Sequence, residues 1–215
     1  MRNLSIKMRL IVTLGVLGVL LVVIGVMGVA SLSRSNESLR SVFEDRTIPL
    51  EQVTMIDRLI MRNRLLIAVS LVTPEPKYIQ GNMDQLDKNI AEIGKIWEAY
   101  MATYLTPEEK VLAEKFAEDR KKFVVEGFRP TADALRAGKL DEAKKIVANQ
   151  VRPLYVPVGA GIDALIKLQI NVAQQEYNAA LSRYNLMRAV SIAAIVIGLL
   201  VAGEHPGVSQ ADHQD

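Results

Sequence analysis

Leu10-Ile-Val-Thr-Leu-Gly-Val-Leu-Gly-Val-Leu-Leu-Val-Val-Ile-Gly-Val-Met-Gly-Val-Ala-Ser-Leu-Ser33 is a run of 24 residues without a charge. At about 1.5 Å per residue, such a helix exceeds the roughly 30 Å of a bilayer's hydrocarbon core. Residues 10–33 therefore read as a transmembrane helix. Arg2, Lys7 and Arg9 precede it; the positive-inside bias puts residues 1–9 in the cytoplasm and the chain after Ser33 on the far side. A cleaved leader is the competing reading, with Gly28 and Ala30 as small residues near a cut. Leader cores are only about 7–15 residues long, and no turn former interrupts this run.

A second uncharged run, 189–203, lies between Arg188 and Glu204. As a helix it measures about 22 Å, short of a full crossing. It reads as a shortened second membrane helix, either a marginal span or a helix end near the outer interface. Residues 204–215 then form a polar tail with no Lys or Arg to anchor a cytoplasmic end.

Between the runs, residues 34–188 read as helix broken three times. Thr73-Pro74-Glu75-Pro76 stops the first segment, because neither proline can continue a helix. Thr106-Pro107-Glu108-Glu109 starts another: Thr106 as N-cap, Pro107 at the first helical position and Glu109 completing a capping box. Gly138 ends a third. The expected helices are 34–73, 77–104, 107–136 and 140–188. Short turns make them antiparallel neighbours, which gives an all-α, membrane-anchored, up-down-up-down four-helix bundle. Ile56, Ile60 and Ile67, then Ile90, Ile93 and Trp97, then Leu112, Phe116 and Phe123, then Ile162, Leu165, Ile166 and Ile170 supply the four core stripes. Pro49, Pro130, Pro153 and Pro157 fall inside helices and are expected to kink them or open a turn. Around Pro153, Pro157, Gly159 and Gly161 two readings stay open, a hinge or binding site and an irregular first turn.

Composition excludes much chemistry. The chain of 215 residues has no cysteine, and its two histidines, His205 and His213, lie in the tail. Thiolate sites, Ser-His-Asp triads and His-rich metal centres cannot be built in the body. No cofactor is expected, and no enzyme. A net charge of +2 carries no basic stripe of the kind that binds nucleic acid.

Five stretches in this order carry a family resemblance: Asp45-Arg-Thr-Ile-Pro-Leu50, Met61-Arg-Asn-Arg-Leu65, Leu86-Asp-Lys-Asn-Ile90, Trp97 through Glu109, and Ala134 through Ala143. Together with the topology they resemble the sensory half of methyl-accepting chemotaxis proteins. The resemblance implies an inner-membrane receptor with a periplasmic four-helix sensor, a homodimer, and a small-molecule ligand. Intact relatives continue into a HAMP module and a cytoplasmic signalling hairpin, so the chain is expected to be truncated before both. A histidine-kinase or cyclic-nucleotide-enzyme sensor is the alternative in the same class, and a purely structural membrane-anchored bundle the alternative outside it.

In that family, ligands bind near the membrane-distal end, often between the first and fourth helices, with arginines gripping carboxylates. Counting from the distal turns near residues 74 and 139, Arg62 and Arg152 lie at matching depth, roughly 18–20 Å from the tip. Arg58, Tyr155 and Arg120 fall at comparable height. Arg58 and Arg62 share a helix face, while Arg64 points about 200° from Arg62. The candidate site is Arg62 with Arg58, Arg64, Arg120, Asn149, Arg152 and Tyr155, and its expected ligand is a small organic acid, held by guanidinium forks.

Overall fold

The computed structural model describes residues 6–203, all of whose regular structure is helical. Most of the segment 1–9, expected in the cytoplasm, and the whole tail 204–215, with His205 and His213, lie outside the described residues. The helices are α1 (Ile6–Val42), α2 (Ile48–Val72), α3 (Pro76–Met101), α4 (Pro107–Lys122), α5 (Arg129–Arg136), α6 (Leu140–Ile146) and α7 (Arg152–Gly203). Arg40–Gln175 form one compact unit, a four-helix bundle; the described residues up to Leu39 and from Glu176 form another. In the second unit, two helical stretches are long and apolar enough to cross a membrane, and neither is covered by protein.

The bundle's turns follow local chemistry. Pro76 opens α3 within its first turn. Thr106 caps α4 in the reciprocal box: its hydroxyl accepts from the Glu109 N–H at 3.2 Å, and the Thr106 N–H donates back to the Glu109 carboxylate. Gly138, at φ 71°, takes the left-handed position that closes α5, with the Lys139 N–H donating to Ala134 C=O and the Gly138 N–H to Leu135 C=O. The expected and observed ends of the bundle helices at the three turns agree to within one residue except that α3 stops at Met101, three residues short of the expected 104.

The interior prolines do not simply kink their helices. Each of Pro49, Pro130 and Pro153 is preceded by a π-helical segment, at Phe43–Thr47, Phe123–Phe128 and Val147–Val151. In all three, the residue just before the proline donates to a carbonyl five positions back: Ile48 to Phe43, Arg129 to Val124 and Arg152 to Val147. Proline lacks the N–H for the usual bond, and its ring collides with the carbonyl four residues earlier. The wider π turn removes that collision and loses no bond that proline was able to make. Pro157 is carried inside α7 without such a segment.

The core runs through Ile56, Ile60, Met83, Leu86, Tyr100, Phe116, Phe123, Phe128, Ile162 and Leu165, all at most 2% exposed. Ile90, Leu112 and Ile166 pack at its margin. Ile170 departs from the expected stripe and is 54% exposed. It sits about 80° around the helix from Ile162, whereas Gln169 falls within about 20° of that line and takes the buried place. Between α2 and α3, Asn89 donates to Asn63 (2.7 Å) and Asn82 to Ser70, while within α3 Gln85 donates to Asn89; the two cross-helix pairs fix how these helices slide.

One buried polar cluster joins all four arms of the bundle, through Arg46 before α2, Tyr100 on α3, Glu109 on α4 and Gln169 on α7. The Glu109 carboxylate, 1% exposed, accepts from the Tyr100 hydroxyl at 2.6 Å and from Gln169 Nε2, and pairs with Arg46 at 3.4 Å. Burial first, then the hydrogen bond to Glu109, pushes the Tyr100 phenol above its ordinary range. Unfolding frees that phenol to ionise near pH 10, so above this pH the unfolded state binds fewer protons and stability falls. Tyr100→Phe removes this drain. Melting curves of wild type and variant should therefore converge above about pH 10, by up to about 1.4 kcal/mol per pH unit. A constant gap through that range would contradict the assignment.

Candidate functional site

Of the seven candidate residues, the structure brings Arg64 and Tyr155 into direct contact. The Arg64 guanidinium lies 3.9 Å from the centre of the Tyr155 ring. Both side chains also converge on the Met61 sulfur, Arg64 Nη1 at 3.3 Å and the Tyr155 hydroxyl at 3.4 Å. Behind Tyr155 stands the Phe123 ring, 6.1 Å away between centroids. Gly159, one turn on from Tyr155, has no side chain because a Cβ there would meet the ring at 3.3 Å. Gly161 similarly makes room for Phe116, at 3.1 Å. Both glycines thus serve close ring packing, and α7 continues through them from Arg152.

This contact sets α2 and α7 in antiparallel register, with positions 61–64 level with 155. Arg58 and Arg62 on α2 and Arg152 on α7 then fall within about two helical turns of one another in height. All three are exposed, as is Asn149 in the π segment before α7. Arg58 Nη2 approaches the Met55 sulfur at 2.8 Å, a partner without charge. Among the described residues, none of Arg58, Arg62, Arg64 and Arg152 is in an ion pair.

Arg120 is separate. It is half-buried, its guanidinium stands 5.6 Å from the centre of the Trp97 ring, and its Nε is buried with no hydrogen-bond partner. Burial lowers its pKa from the guanidinium's ordinary value. A second polar feature that the sequence reading did not select lies between α2 and α7: burial, reinforced by the charge of Asp163, raises the pKa of Asp57. Asp57 and Asp163 are 106 positions apart, so the linear sequence carries no signal of their proximity.

The distal tip differs in its electrostatics. Pro74, Pro76, Ile79, Gln80, Leu135 and Arg136 line part of a pocket of about 360 Å³. Its arginine, however, is already held by Asp87 at 2.7 Å and Asp84 at 3.2 Å. An incoming carboxylate would have to displace both. The belt lower down has cations without such competition. Among the described residues, no group of His, Asp and Glu is arranged to hold a metal.

Residues 1–173 match the family model described as "Tar ligand binding domain homologue". Over 211 residues the chain is 26% identical to the methyl-accepting chemotaxis protein NahY of Pseudomonas putida, covering 94% of this chain. It spans only 37% of that relative's length. No solved structure matches. With an all-α bundle, two apolar helices and a family match across most of its length, the chain belongs to the Tar ligand-binding-domain homologues, non-catalytic sensor bundles of the inner membrane that face the periplasm.

Proposed function

We propose that the chain is the sensor portion of a chemotaxis receptor and that it binds a small organic acid at the arginine belt on α2 and α7. In this reading 10–33 and 189–203 are the membrane segments and 34–188 the periplasmic domain. Arg62 is the principal anchor, Arg58 and Arg152 flank it, and Asn149 adds a neutral donor. Arg64 and Tyr155 form the wall, and Arg120, held beside Trp97, stays outside it. The observation that carries this is the set of uncompensated guanidinium groups levelled by the Arg64–Tyr155 contact. A planar fork of donors matches a carboxylate in two parallel bonds.

Arg58 and Arg62 point away from the core stripe of their own helix, so one protomer gives the ligand only one wall. A two-fold dimer that pairs these faces supplies the other. Ligand binding would then shift α7 along the bundle by about 1–2 Å and pass the signal into the membrane. The similarity to the methyl-accepting chemotaxis protein NahY favours chemotaxis over a kinase output.

Calorimetric titration of the whole chain in nanodiscs against di- and tricarboxylates tests the reading. At least one acid should bind. Arg62→Ala should weaken it by about 10- to 100-fold, the loss of about 1.5–3 kcal/mol for hydrogen bonds to a charged group. Unchanged affinity in the variant would remove Arg62 from the site, and no heat from any acid would remove the ligand class.

A further inference from the structure

The membrane-flanking unit contains a cleft of about 330 Å³ between α1 and α7, lined by Met27, Ala30, Arg34, Arg183, Tyr184 and Met187 together with three serines. Its chemistry is divided along its length. Met27, Ala30, Leu186 and Met187 make an apolar floor, and Ser31, Ser35, Ser38, Arg34 and Arg183 make a donor-rich rim. No carboxylate is among the lining residues. Arg183 Nη2 donates to Ser38 Oγ at 2.9 Å, which holds its guanidinium at the rim, while Arg34 makes no hydrogen bond or ion pair among the described residues. Arg188 stands over the Tyr184 ring at 6.0 Å.

The depth of the cleft follows from the sequence. Arg34 is the first charge after the apolar run 10–33, and Arg188 is the last before the run 189–203. From Met27 to Ser38, α1 climbs about 17 Å, enough to pass from acyl chains through the headgroup layer. Tyr184 stands where an amphipathic ring suits the interface. Arginines at the outer ends of membrane helices run against the positive-inside bias. Two of them, beside serine hydroxyls and with no acid between them, call for an anion from the surroundings, and the apolar floor calls for one with a hydrocarbon tail.

We infer that this cleft holds the phosphate of an anionic phospholipid from the outer leaflet, with Arg34 and Arg183 on the phosphate oxygens and the acyl chains against Met27, Ala30 and Met187. This goes beyond the sensing site and does not depend on it, because carboxylate titration and lipid retention are separate readouts.

The chain is reconstituted in nanodiscs of equimolar phosphatidylglycerol and phosphatidylcholine, released, and analysed by native mass spectrometry for retained lipid. Wild type should keep phosphatidylglycerol over phosphatidylcholine by about tenfold. Arg34→Gln/Arg183→Gln should abolish that preference, and Lys121→Gln/Lys122→Gln, with the same charge change on the bundle surface, should keep it. Excess inorganic phosphate should leave the retained lipid in place. Equal retention of both lipids by wild type overturns the inference whether or not the variant folds. Displacement by inorganic phosphate would make the cleft a soluble-anion site, and retention by monomers with none on dimers would assign it to a second copy of the chain; either result also overturns it.

Discussion

Glu109→Ala is expected to destabilise the bundle by about 3–5 kcal/mol, the range for breaking a buried charge pair from one side. The carboxylate is at once the returning half of the Thr106 capping box, the acceptor for the Tyr100 hydroxyl and Gln169, and the partner of a buried Arg46. Its removal therefore leaves a guanidinium and two neutral donors facing a smaller side chain. At about 2–4 °C per kcal/mol for a chain of this size, the melting midpoint should fall by about 10 °C, read by far-ultraviolet circular dichroism on the full chain in detergent. Two comparisons isolate the cause. Thr106→Ala removes the cap's hydroxyl and should cost about 1 kcal/mol. Glu108→Ala, at the exposed neighbour, should stay within about 0.5 kcal/mol. Arg46→Met combined with Glu109→Leu should lose less than the sum of the two single changes, because neither charge is then left alone. Strict additivity would mean that Arg46 and Glu109 do not stabilise each other.

That cluster also shows where reading the chain linearly stops. Helix ends were legible because each rests on two or three adjacent residues: the prolines at 74 and 76, Thr106 with Glu109, and Gly138. The role of Glu109 as a cap is local in this sense, whereas its pairing with Arg46 spans 63 positions and depends on how the arms meet. Apolarity alone assigns Ile170 to the stripe, whereas strict periodicity puts the polar Gln169 there, and Gln169 is the buried one. The prolines marked the right places but not the π geometry, which becomes apparent only when the bond of the preceding residue is traced. In the candidate site, helical angles place Arg64 about 200° from Arg62. The stacking of Arg64 on Tyr155 needed the register of α2 against α7, and no spacing within either helix encodes that register.

Phe123→Ala is expected to cost about 3–5 kcal/mol, as for other fully buried aromatic rings. Phe123 opens the π segment of the third arm, packs 4.3 Å from Phe128 between centroids, and lies close to Gly127 and Tyr155. Because it backs the ring on which Arg64 rests, its loss should do more than destabilise. With the cavity behind it, Tyr155 gains freedom to leave the Arg64 guanidinium, and the wall of the proposed belt is no longer preorganised. Met83→Ala is the control, since Met83 is fully buried within α3 and its loss creates a cavity with a cost of about 2–5 kcal/mol. At a temperature where both variants remain folded, Phe123→Ala should bind the carboxylate ligand more weakly than wild type, and Met83→Ala should bind it equally well. Equal binding by both would separate Tyr155 from the site and leave the arginines of α2 and α7 to hold the ligand without it.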